Sequence, residues 1–146
     1  MVRNDQEIVK FTQVARRREG TADMKRRILV IDDDPDMARI LKVILEKHGA
    51  IVDVAVHGKE ALSKMVENRP ELVFLDLMMP ELDGFEIVEA LCSSGASRPH
   101  IYVMTAKQLT PQEKAYLGEH VEMIIQKGSE DLAKTLDKVM QDLDTK

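Results

Sequence analysis

Five short aliphatic runs, each followed by a stretch of helical spacing, restrict the folds open to this chain more than any other feature. The runs are Ile28–Ile31, Ile51–Val56, Leu72–Leu77, Ile101–Met104 and Met123–Ile125. Each is short and almost continuously apolar, the pattern of a strand covered on both faces. Helical stretches are expected near Asp36–Lys47, Lys59–Asn68, Phe85–Leu91, Pro111–Leu117 and Glu130–Leu143. In the last of these, Leu132, Leu136, Val139, Met140 and Leu143 make one apolar face. The boundaries are punctuated. Asp34-Pro35 supplies an N-cap and a proline at the first helical position, Gly49 stops the first helix, and Pro70 ends the second.

Strictly alternating strands and helices imply a parallel sheet with helices on both faces. Right-handed crossovers then favour the strand order 2-1-3-4-5. With 146 residues and 44% hydrophobic content, the chain suits one domain with its own core. Aromatic residues make up only 3%, so that core must be aliphatic, with nine Met as adaptable filler.

Charge divides the chain unevenly. Residues 1–27 hold eight basic and four acidic side chains, and residues 28–146 hold thirteen and twenty-two. The acidic body repels phosphate backbones, so no nucleic-acid partner is expected, and Arg16-Arg17-Arg18 stands without a recognition helix or aromatic neighbours. Residues 1–24 read as a flexible N-terminal extension, with a short helix over Glu7–Arg17 as an option, and 25–146 as the folded domain. A single cysteine, Cys92, and the absence of a signal peptide or long apolar run point to a soluble cytoplasmic protein with no membrane partner. The histidines at 48, 57, 100 and 120 lack metal-ligand spacing and are read as structural or solvated.

In a sheet of this order, ligands bind beyond the carboxyl ends of the strands, where the strand order reverses between the first and third. The first strand runs into Asp32-Asp33-Asp34, and the third carries Asp76 near its end. Such a group of carboxylates is costly to bury unless a cation compensates, and it suits a hard divalent ion such as Mg²⁺, with Mn²⁺ as a substitute. Asp34 is expected to turn away and cap the first helix. The fourth strand brings Thr105, a hydroxyl, and the fifth brings Lys127, an ammonium. Metal, lysine and hydroxyl together offset the charge that develops in phosphoryl transfer, and aspartate can serve as the nucleophile.

The segments V30-I-D-D-D, L75-D-L-M-M-P-E-L-D-G84, M104-T-A106 and Q126-K-G128, in this order and spacing, resemble the response-regulator receiver domain over residues 26–143. The resemblance implies a flavodoxin-like three-layer α/β/α fold. It implies Asp76 as phosphoacceptor and as a metal ligand, Asp32 and Asp33 as the acidic metal-binding pair, and the backbone carbonyl of Met78 as a further ligand. Thr105 and Lys127 match the residues that bind the phosphoryl group and report it, and Pro80 and Gly84 match the loop after the acceptor strand. The implied partner is a sensor histidine kinase or a histidine phosphotransfer protein, with a downstream protein of unknown identity. Such a protein is no enzyme beyond its own phosphorylation and dephosphorylation.

Three departures from the family pattern stand out. Gly128 follows Lys127 where the family usually has proline, and Ile124 occupies the switch position where it often has Tyr or Phe. Nineteen residues follow Lys127, room for one helix, so signalling by protein contacts without an output domain is expected. The same residues leave two other readings open. One is a degenerate receiver acting as an unphosphorylated binding module. The other is an aspartate-nucleophile phosphatase of the haloacid-dehalogenase type, which wants a second acid where this chain has Met78.

Overall fold

The computed structural model describes residues 25–80, 83–93, 98–128 and 132–144. Strands and helices alternate: β1 Arg27–Ile31, α1 Pro35–Glu46, β2 Ile51–Ala55, α2 Gly58–Asn68, β3 Leu72–Asp76, α3 Gly84–Cys92, β4 His100–Thr105, α4 Pro111–His120, β5 Met123–Gln126 and α5 Leu132–Asp144. The strands form one parallel sheet in the order β2-β1-β3-β4-β5, the order expected from right-handed crossovers. The expected extension over 1–24, its optional helix over Glu7–Arg17 and the expected helix start at Glu130 lie outside the described residues. No helix among the described residues is long and apolar enough to cross a membrane.

Alternation along the strands builds two cores. On one face of the sheet Ile28, Val30, Leu72, Phe74, Tyr102 and Met104 meet Leu41 and Leu45 of α1 and Leu136, Val139 and Met140 of α5. On the other, Leu29, Ile31, Val73, Leu75, Ile101 and Val103 meet Ala61 of α2, Ile87, Val88 and Leu91 of α3 and Leu117 of α4. Successive strand residues point to opposite faces, so a strand sandwiched between helices must be apolar at every position. The Phe74 and Tyr102 rings, on neighbouring strands, stack at 5.1 Å. His48, at the end of α1, lies 2.8 Å from Asp137 of α5 and ties those two helices together, a structural role.

Helix α2 ends at Asn68, as expected, two residues before Pro70. Between them Arg69 takes the left-handed conformation (φ 46°) and donates its N–H to the Met65 carbonyl. Pro70 excludes the helical conformation from the residue before it, so the turn falls on an arginine rather than a glycine. Helix α4 runs to His120, beyond the expected end at Leu117. Its one buried residue is Leu117, so its apolar periodicity is weak, and a capping box at Thr110 and Glu113 defines its start instead.

Candidate functional site

Every strand that contributes chemistry does so at its carboxyl end. Beyond Ile31 the backbone is still held by the sheet, since the Asp32 N–H donates to the Ala55 carbonyl at 3.1 Å. That bond places the Asp32 carboxylate inside the protein with no solvent exposure. Asp33 remains exposed. Asp34 turns outward and accepts the N–H groups of Asp36 (3.0 Å) and Met37 (3.4 Å), capping α1 as expected. Asp76 is the last residue of β3 and is 3% exposed, so it enters the same recess from the neighbouring strand. Carboxylate oxygens of Asp32, Asp33 and Asp76 all lie within 4.8 Å of one another.

A cation already faces these acids. The Lys127 ammonium donates to Asp32 Oδ2 at 2.9 Å and to Asp76 Oδ2 at 3.3 Å. The reach is set by the sheet: the Lys127 N–H donates to the Thr105 carbonyl at 2.8 Å, which carries the chain one residue past β5 toward β4. Gly128, at φ +82°, then turns the backbone in a conformation that a side chain would strain. The proline usual in the family is therefore not required for the lysine to enter the site.

Electrostatics follow from the burial. Removal from water pushes the Asp32 carboxyl up, the Asp34 N–H and Lys127 pull it back in part, and the nearby Asp76 charge adds to the rise. For Lys127, burial works to lower the ammonium. The hydrogen bond and charge of Asp32, followed by those of Asp76, outweigh it, and the net direction is upward. Three carboxylates against one ammonium leave the recess with a surplus of negative charge. The donor set is all oxygen, with no His or Cys among the clustered ligands, which fits a hard divalent cation.

The remaining predicted residues lie on the neighbouring strands and on the loop after β3. Thr105, the last residue of β4, is fully buried, and its hydroxyl oxygen accepts the Lys107 N–H at 3.0 Å. Met78 donates its N–H to Asp76 Oδ1 at 3.0 Å, and its side chain lies outside, 53% exposed. Met78 also pairs in antiparallel fashion with Asp83, closing the loop after β3, and Asp83 caps α3 through the Phe85 N–H. Gly84 follows because nothing larger fits. A Cβ there would stand 2.6 Å from the Leu77 Cα and 2.8 Å from its Cδ2. Ile124 sits half-buried against the core on the α2, α3 and α4 side, paired with Val103 of β4.

Lys127 was expected at this rim, and its ammonium bridges two carboxylates on different strands. The role of Lys107 had no such signal. Lys107 lies between Thr105 and an ion pair with Glu113 at 3.0 Å. The Thr-x-x-Glu spacing of Thr110 and Glu113 is the one signal that could have marked this corner, as a capping pattern.

Comparison with known proteins agrees with this geometry. Residues 28–139 match the family model described as the response regulator receiver domain. Response regulator MprA of Mycobacterium sp. (strain KMS) is 43% identical over 94 residues, covering 64% of this chain and 40% of that protein. A response regulator signal receiver domain from Bermanella marisrubri superposes with a TM-score of 0.68 at 29% identity, covering 81% of this chain and 98% of that one. The N-terminal domain of a response regulator receiver protein from Methanoculleus marisnigri JR1 gives 0.64 at 32% identity, covering 82% and 94%. The chain spans less than half the length of the curated relatives it matches.

Proposed function

The chain belongs to the response-regulator receiver family, and from that membership we propose that it accepts a phosphoryl group on Asp76 from a phosphohistidine of a sensor kinase or phosphotransfer protein. The observation that carries the reading is the convergence of Asp32, Asp33, Asp76 and Lys127 in one recess at the carboxyl edge of the sheet.

An Asp76 carboxylate oxygen attacks phosphorus, the phosphorus–nitrogen bond of the donor breaks, and the electron pair leaves with the imidazole, which takes up a proton. The product is an acyl phosphate, which water later hydrolyses to return the carboxylate. Lys127 exchanges its hydrogen bond to Asp76 Oδ2 for one to a phosphoryl oxygen while keeping Asp32. The Thr105 hydroxyl has a proton to donate to a second phosphoryl oxygen. Asp32 and Asp33, with the Met78 carbonyl, would hold Mg²⁺ beside Asp76. When bound, the ion screens the carboxylates from one another and neutralises charge on the phosphoryl oxygens. Phosphorylation then signals through protein contacts.

Titration with beryllofluoride, a phosphoryl mimic, tests this. Wild type should bind it only with Mg²⁺ present, and Asp33→Ala should bind neither ion detectably. No binding in wild type would instead support a binding module that works without phosphoryl chemistry, and binding without metal would contradict the role given to Asp32 and Asp33.

A further inference from the structure

The crossing from β4 to α4 is tied at one end to the Thr105 hydroxyl and at the other to the first turn of the helix. Thr105 Oγ1 accepts the Lys107 backbone N–H at 3.0 Å, and the Lys107 ammonium donates to Glu113 Oε2 at 3.0 Å. Glu113 is shared. Its other oxygen accepts the Thr110 N–H at 2.9 Å, and the Thr110 hydroxyl oxygen accepts the Glu113 N–H at 3.1 Å. Between these points Leu109 packs half-buried against the core, which leaves the loop little slack.

A surface ion pair usually contributes little, because two long side chains must be ordered to form it. Here the capping box already orders Glu113, so Lys107 meets a partner whose position is set. The Thr110 N–H, and after it Lys107, hold the Glu113 carboxyl below its ordinary range. One turn further on, Tyr116 faces Phe85 of α3 at 6.2 Å and His120 at 4.5 Å. Ile124, by contrast, offers neither a ring nor a hydroxyl with which to follow Thr105.

We propose that Lys107 and Glu113 form a positioning pair that transmits the state of the Thr105 hydroxyl to the first turn of α4. This rests on the reading of Thr105 as a phosphoryl-binding group. When the Thr105 side chain turns to bring its hydroxyl to a phosphoryl oxygen, Oγ1 is drawn away from the Lys107 N–H it holds at 3.0 Å. The Lys107 backbone then follows, and its ammonium draws on the carboxylate that closes the α4 cap. The side chain at 124 is not needed for this route.

The test has two arms, both read by amide hydrogen exchange over Glu113–Tyr116. In the free protein, Thr105→Val should speed exchange there by about three- to tenfold, Thr105→Ser should not, and Thr105→Val should add little once Lys107→Met is present. With Mg²⁺ and beryllofluoride, wild type should change its exchange in α4. Lys107→Met and Glu113→Gln should bind the mimic with the same affinity and lose most of that change. Additive effects of the Thr105 and Lys107 substitutions, or an undiminished α4 response in both variants, would overturn the linkage. Failure of wild type to bind the mimic would overturn the phosphoacceptor reading instead, and the free-protein arm would still decide the coupling.

Discussion

Two corners of the same sheet edge are built on different principles. At the β1–β3 corner, Asp32 and Asp76 are locked by the buried sheet backbone and share one lysine. At the β4–α4 corner, Thr105 is equally buried, but the connection onward runs through half-exposed side chains, Lys107 to Glu113 to Thr110. Burial fixes the groups to which the proposal gives contact with a ligand. Exposure leaves the groups of the proposed route to α4 weakly held, since each surface bond is individually small. In the acid corner one cation offsets several buried charges, so single changes there should cost more than changes along the α4 route.

Lys127→Met should cause the largest loss. It leaves two buried carboxylates without their ammonium, so metal-free stability should fall by about 3 kcal/mol in urea unfolding, and added Mg²⁺ should recover part of it. Unchanged stability would mean that the acids do not need the lysine. Gly84→Ala comes next. Its Cβ meets Leu77 backbone at 2.6 Å, so the loop after β3 must shift, at a cost of about 1–3 kcal/mol by the same measurement.

The helix caps allow a matched test, because α1 and α4 both start with a capping side chain followed by proline. Asp34→Ala and Thr110→Ala should each cost about 1 kcal/mol. Asp34→Ala should leave Mg²⁺ affinity intact, since its carboxylate caps α1 and stands outside the acid cluster. A large fall in Mg²⁺ affinity, read by isothermal calorimetry, would place Asp34 in the metal site. The smallest effect is one of pH. The Glu113 carboxyl sits below its ordinary range, so its contribution is present above the unfolded-state value and is lost as pH falls through the folded one. Protection in the first turn of α4, taken relative to the intrinsic exchange rate at each pH, should therefore fall at acid pH in wild type and stay flat in Glu113→Gln.

The contrast between the corners also explains what the sequence could reveal. The strands, their order and the acids at their ends were legible because aliphatic runs and right-handed crossovers leave few arrangements. Asp34 was separable from Asp32 and Asp33 because Pro35 marks a helix start. Lys127 was legible at this rim because the strand order brings the end of the fifth strand there. The role of Lys107 was not, because its bonds to Thr105 and Glu113 are set by the path of the loop and follow no sequence pattern. The end of α4 was missed because its surface is polar and only Leu117 is buried. Arg69 was missed because a left-handed turn usually falls on glycine.

On the proposed reading, Asp76 takes the phosphoryl group with the help of a divalent ion. Intact-protein mass after incubation with acetyl phosphate tests it most directly, with and without Mg²⁺, in wild type and Asp76→Ala. The expected result is one phosphoryl addition in wild type that requires Mg²⁺ and is absent from Asp76→Ala. Addition that persists in Asp76→Ala would place the acceptor elsewhere, and addition in wild type without a divalent ion would contradict the role given to Asp32 and Asp33.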